Sequence, residues 1–290
     1  MAQHVAGLAT LAPAAASRSR LRSLIIPREH GAWGMLLVPL ATGAALATLQ
    51  GGRVSNLPLL IVATLVIFWL RTPVESWLGT SPMRAQSARE KSAVGRVILL
   101  LSAVAALTLT ALFWDGRNRE LLLLGLTAGL AFGLQAFLKN LSRKTRMLAQ
   151  FVGAMGLTST APAAYCVIVG HLGTPALLLW LINWLFAVGQ IHFVQVRIHC
   201  CRALGLTQKL ACAWALVMTQ ATVVVMLVGA SLARIIPALV LLAFTPSVGR
   251  SIAWFFTPPR PLVVRRLGWT ELAHAITFGV ILVAGFYLNR

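Results

Sequence analysis

Apolar runs of 14 to 22 residues, parted by short polar stretches, recur nine times along this chain. They fall at 32–49, 57–70, 94–114, 121–137, 148–169, 175–196, 210–230, 235–256 and 270–288. A helix rises about 1.5 Å per residue, so roughly 20 apolar residues cross the hydrocarbon layer of a bilayer. The pattern therefore predicts an all-α, polytopic bundle of nine transmembrane helices. Two runs carry internal breaks. Pro246 and Arg250 interrupt the eighth. The fifth holds GLTSTAPAAY, where Pro162 frees a carbonyl that the hydroxyls of Thr158 and Ser159 can help satisfy, which predicts a kink. Residues 1–26 read as a disordered tail. It is alanine-rich, but Arg18, Arg20 and Arg22 follow its apolar part, the reverse of a signal peptide. Residues 27–290 read as one membrane domain.

Composition agrees. The 290 residues are 58 % hydrophobic and 11 % charged, with mean hydropathy +0.82, against about 45–50 % and 25 % in soluble domains. A formal charge of +19 points at first to nucleic acid, yet the basic residues are scattered among the segments between apolar runs. With nine spans, twenty of the 25 lysines and arginines fall on one side. Positive charge favours the cytoplasm, which places the N-terminus inside, the C-terminus outside and the protein in the bacterial inner membrane. Four cysteines, with Cys200 and Cys201 adjacent, form no disulfide framework and are expected as free thiols.

Residues able to do chemistry gather at the cytoplasmic ends of the predicted helices. Arg28, Glu29 and His30 enter the first. Arg71 and Glu75 leave the second. His192, Gln195, Arg197 and His199 fill the inner half of the sixth, below Asn183 and Gln190. Glu271 and His274 open the ninth. Polar groups at membrane depth face the bundle interior or a wet cavity by default, so one basic cavity facing the cytoplasm is expected. His192, Gln195 and His199, spaced i, i+3, i+7, should share a helix face. Thr72-Pro73-Val74-Glu75 reads as a capping box restarting a helix, with Arg71 able to pair with Glu75. Glu271 and His274 make an E-x-x-H pair, but di-iron bundles need two such pairs and two more glutamates.

In their order and spacing, PREHGAWGMLLVP (27–39), FWLRTPVESW (68–77), LTSTAPAAY (157–165) and VQVRIH (194–199) resemble the YwiC-like family of bacterial membrane proteins, from about Pro27 to the C-terminus. The nine-helix layout, with polar motifs ending the second and sixth helices, is also similar to UbiA-type intramembrane prenyltransferases. That family's aspartate motifs hold magnesium, which grips an isoprenyl diphosphate. Here the stretches are Arg71–Glu75 and Gln195–His199, without an aspartate; the only aspartate in the chain is Asp115. Mg²⁺ needs hard carboxylate oxygens, so no cofactor is expected. Arginines can grip a phosphate or carboxylate directly.

The expected ligand is an amphiphilic anion, an isoprenoid or other lipid with a polar head, bound by Arg28, His30, Arg71, Glu75, His192, Gln195, Arg197, His199, Glu271 and His274. The partners are then the bilayer and this ligand, and not nucleic acid. A small-anion permease and a non-enzymatic assembly partner are the alternatives, and the outer helix halves are too apolar to favour transport. Any enzymatic activity would be a UbiA-related transfer without the aspartates.

Overall fold

The computed structural model describes residues 19–27, 30–80, 83–114, 118–142, 145–200, 205–258 and 262–289. In chain order the helices are α1 (His30–Leu49), α2 (Leu57–Leu78), α3 (Ala88–Trp114), α4 (Asn118–Leu141), α5 (Arg146–Thr158) and α6 (Thr160–Val169). There follow α7 (Thr174–His199), α8 (Leu206–Leu232), a 3-10 helix (Ala238–Phe244) running into α9 (Thr245–Phe256), and α10 (Val264–Tyr287). Nine segments among the described residues are long and apolar enough to cross a membrane, α5 with α6 forming the fifth and the 3-10 helix with α9 the eighth. The chain is a multi-pass, all-helical membrane protein.

Both internal breaks occur. Ser159 separates α5 from α6, and the hydroxyls there bond other carbonyls than Thr158 O, the one that Pro162 frees. Thr158 donates to Ala154 O, Ser159 to Gly156 O, and Thr160 to Leu157 O and Leu36 O. The eighth crossing starts as a 3-10 helix and turns α-helical at Thr245, with Pro246 in the first turn, where its missing N–H costs nothing.

The described residues form two compact units, one within Met1–His30 and Pro58–Gly116, the other within Gly31–Leu57 and Arg117–Arg290. In the first, residues 19–25 are helical, so the expected tail gives way to structure before its end; residues 1–18 lie outside the described region. Leu24, Ala85 and Val94 make a small core, and Arg20 pairs with Glu90 at 2.8 Å. Ser87 and Glu90 form a capping box at the start of α3, since Glu90 N donates to Ser87 Oγ and Ser87 N to Glu90 Oε2. The box expected at Thr72–Glu75 is corrected, because α2 continues unbroken through Pro73. Prolines are tolerated inside membrane helices, where the freed carbonyl finds other partners.

In the second unit α5, α6 and α7 are the buried elements. Of their most apolar windows, 78 % (fifth crossing) and 61 % (α7) are buried, against 17 % for α4 and 22 % for α8. Leu130 on α4 is 74 % exposed and Val225 on α8 70 %, a surface that only lipid can solvate. Between them Phe186, Phe244 and Phe278 form an aromatic knot. The rings of Phe186 and Phe278 stack at 3.8 Å, and Phe244 meets both edge-on. Gly43 brings α1 against α6 so closely that a Cβ there would lie 2.1 Å from Ala161 O; small residues at such crossings are the usual device in membranes.

The thiol expectation is corrected. Cys200, at the end of α7, and Cys212, in α8, are joined by a disulfide with Cα atoms 6.1 Å apart. The two helices form a hairpin that brings these positions together, which linear spacing does not reveal. Cys201 lies outside the described residues, and the buried Cys166 thiol donates toward Glu120 Oε2 at 3.4 Å.

Candidate functional site

The helix ends of the second unit where α7 and α9 finish and α10 begins enclose a cavity of about 360 Å³. Its basic side chains come from three elements: Arg197 from α7, Arg250 from α9, and Arg266 and His274 from α10. Phe193, Trp254, Leu262, Val263 and Leu267 supply an apolar wall, and the hydroxyls of Thr257 and Thr270 lie among them. Three guanidinium groups and one imidazole thus share a cleft with greasy sides, an arrangement suited to a ligand with an anionic head and an apolar body.

The deepest cation is Arg250. Its guanidinium lies 4.0 Å over the Phe193 ring, and its Nη1 pairs with Glu271 Oε1, both side chains being largely buried. Arg250 Nε and Nη2 and Glu271 Oε2 are enclosed without a hydrogen-bond partner. Buried polar atoms are nearly always matched, and an unmatched one costs about 1–3 kcal/mol. The pair is under-satisfied by the protein itself. Gln190, reaching from α7, donates to the main-chain oxygen of Glu271 at 3.0 Å and ties that turn of α10 in place.

Lys209 braces the same wall from behind. Although 4 % exposed, its ammonium donates to Trp254 O (3.0 Å), Phe255 O (3.2 Å) and Thr257 O (2.6 Å). These are terminal carbonyls of α9 that no helical N–H can reach, and a cation is the natural cap for them.

The expected site residues are distributed unevenly. Arg197 and His274 line the cavity, and Glu271 joins them through its pair with Arg250. His192, Gln195 and His199 do not share one environment: His192 Nδ1 bonds Thr219 Oγ1 at 2.9 Å, Gln195 donates to Gln150 Oε1 at 3.1 Å, and the exposed His199 turns Nδ1 back to Gln195 O. Their spacing is helical, but neighbours on two different helices draw them apart. Arg71 and Glu75 pair along α2 at 3.0 Å, as expected. His30 opens α1, while Arg28 lies outside the described residues. Among those residues no group of three His, Cys, Asp or Glu side chains comes together. The sequence alone does not single out Arg250 or Arg266 as site residues. The signal for Arg250 was present: an arginine inside an apolar run is costly and marks a site by default.

Residues 26–165 match the family model described as YwiC-like protein. Over that stretch the chain is similar to YwiC-like proteins. No curated protein matches it. The YwiC-like region takes in α1 to α5 and most of α6, and with them PREHGAWGMLLVP, FWLRTPVESW and LTSTAPAAY. The motif VQVRIH and the whole cationic cavity lie beyond its end, in α7, α9 and α10.

Proposed function

We propose that this YwiC-like membrane protein binds an amphiphilic anion, an isoprenoid or other lipid with a phosphate or carboxylate head, in the cavity of Arg197, Arg250, Arg266 and His274. The single supporting observation is charge imbalance. Arg197, Arg250 and Arg266 line one largely apolar cleft, and the carboxylate beside it, Glu271, pairs with Arg250 alone. An anionic head supplies the missing charge, and Phe193, Trp254 and Leu267 receive the body. Guanidinium groups bind phosphate and carboxylate oxygens directly, so the head group needs no divalent ion. The distribution of basic residues supports a cavity mouth at the cytoplasmic leaflet of a bacterial inner membrane. The same reading takes the nine helices as a UbiA-like bundle without its aspartate motifs.

Purified protein heated with farnesyl phosphate in the presence of EDTA tests this. Wild type should gain several degrees in unfolding midpoint, and Arg197→Gln/Arg266→Gln should lose the gain while keeping its own midpoint near wild type. An absence of stabilisation by farnesyl phosphate and by single-chain anionic lipids alike sinks the proposal.

A further inference from the structure

The Arg250–Glu271 pair sits awkwardly for a plain binding site. Arg250 lines the cavity, yet Nη1 is held by Glu271 and both other nitrogens are enclosed. An anion arriving in the cavity finds no open edge of the guanidinium. To engage it, Arg250 must turn on Phe193, and that turn breaks the Nη1–Oε1 contact. Glu271 is itself buried on α10, and Gln190 holds the main chain of its turn against α7. The carboxylate is then left enclosed by protein without its counter-ion, the situation in which a buried charge is most unfavourable.

Resting on the anion-binding reading, we propose that Glu271 is a proton-binding site coupled to the ligand: an anion that takes Arg250 releases Glu271, which takes up one proton. The step balances simply. The anion forms its ion pair with Arg250, the Arg250–Glu271 pair breaks, and a proton from water joins a Glu271 carboxylate oxygen to give the neutral acid. The new O–H can donate to an oxygen of the bound anion, so the acid itself becomes part of the head-group site.

The charges around Glu271 fit this step. Arg250 approaches from α9, Arg197 from α7 and His274 from one turn further along α10, with no second acid among them. From α1 the neighbour of this turn is Gly34, against Leu272, and it carries no charge. Arg197 lines the same cavity and meets the same anion, so it cannot replace Arg250 as the partner of Glu271. An anion binder that picks up a proton with each ligand loads without any change in net charge, which suits passage or presentation of that ligand within a bilayer.

Octane-1-sulfonate is the probe, because its charge does not titrate and any proton taken up belongs to the protein. Its dissociation constant is measured on the full-length protein from pH 7.5 to 9, where histidine is neutral. Uptake of one proton per anion makes the constant rise about tenfold per pH unit, and Glu271→Gln should bind with no pH dependence. Calorimetry of wild type in buffers of different ionisation enthalpy counts the proton without any variant, and decides the matter if Glu271→Gln does not fold. Binding by wild type that is flat with pH, or an unchanged slope in Glu271→Gln, overturns the coupling and leaves the cavity reading intact. No binding of octane-1-sulfonate at all overturns both.

Discussion

Replacing both members of the Arg250–Glu271 pair by methionine should leave stability almost unchanged, although either replacement alone is severe. Two opposite unit charges about 4 Å apart attract by about 4 kcal/mol at the effective dielectric constant of roughly 20 that reproduces protein measurements. Against this stand three enclosed atoms without partners, Arg250 Nε, Arg250 Nη2 and Glu271 Oε2, each costing about 1–3 kcal/mol. The attraction is cancelled by the unmatched hydrogen-bonding groups before full desolvation is counted. Arg250→Met or Glu271→Met strands one buried charge and should cost about 3–5 kcal/mol, while the double variant should lie within about 1 kcal/mol of wild type or above it. Equilibrium unfolding in mixed micelles, run as a double-mutant cycle, reads the coupling directly. The double variant should also lose octane-1-sulfonate binding, which separates the pair's role in function from any role in folding. If its loss of stability equals the sum of the singles, the two groups are not coupled, and the site built on their pairing is wrong.

Two further substitutions test the supports around the cavity. Lys209→Met removes the shared donor of three α9 carbonyls; with about 1.5–3 kcal/mol for a hydrogen bond to a charged group, and some relief from no longer burying an ammonium, thermal unfolding should show a loss of about 3 kcal/mol, and a loss below about 1 would refute the capping role. Gly43→Ala drives a methyl into the main chain of Ala161 and should cost at least the 1–3 kcal/mol typical of overpacking, whereas Gly129→Ala, with nothing within 4 Å, should be neutral or gain up to about 1 kcal/mol from helix propensity; equal midpoints for the two variants would contradict the close α1–α6 crossing.

The helices were legible because hydrophobic length is a local property of the chain and the bilayer enforces it. Even the two irregular crossings announced themselves, through Pro162 among hydroxyl residues and Pro246 ahead of Arg250. Helix ends were less legible, since α3 begins at Ala88, six residues before its apolar run, where the Ser87–Glu90 box and not hydropathy sets the start. Thr72–Glu75 offers a similar signature, but lies inside a crossing whose flanks are already helical, so the chain runs on through it. The disulfide depends on a hairpin that separation in sequence cannot show.

The site was half legible for a related reason. Arg197, Glu271 and His274 were picked out because they sit at the ends of long apolar runs, and those ends meet at the cavity. Arg250 was passed over because it breaks a run and so reads as a defect in a helix or part of a loop. The same fact read energetically points the other way. An arginine retained twelve residues into an apolar crossing, among Phe193 and Trp254, must be matched by something, and inside this unit a single carboxylate atom does so incompletely. In a chain with only six acidic residues against 25 basic ones, the protein has few means of satisfying a buried guanidinium from its own sequence. In the proposed function an anion from outside the chain is that partner, and the shortage of internal acids would then tie the composition of the chain to the chemistry of its cavity.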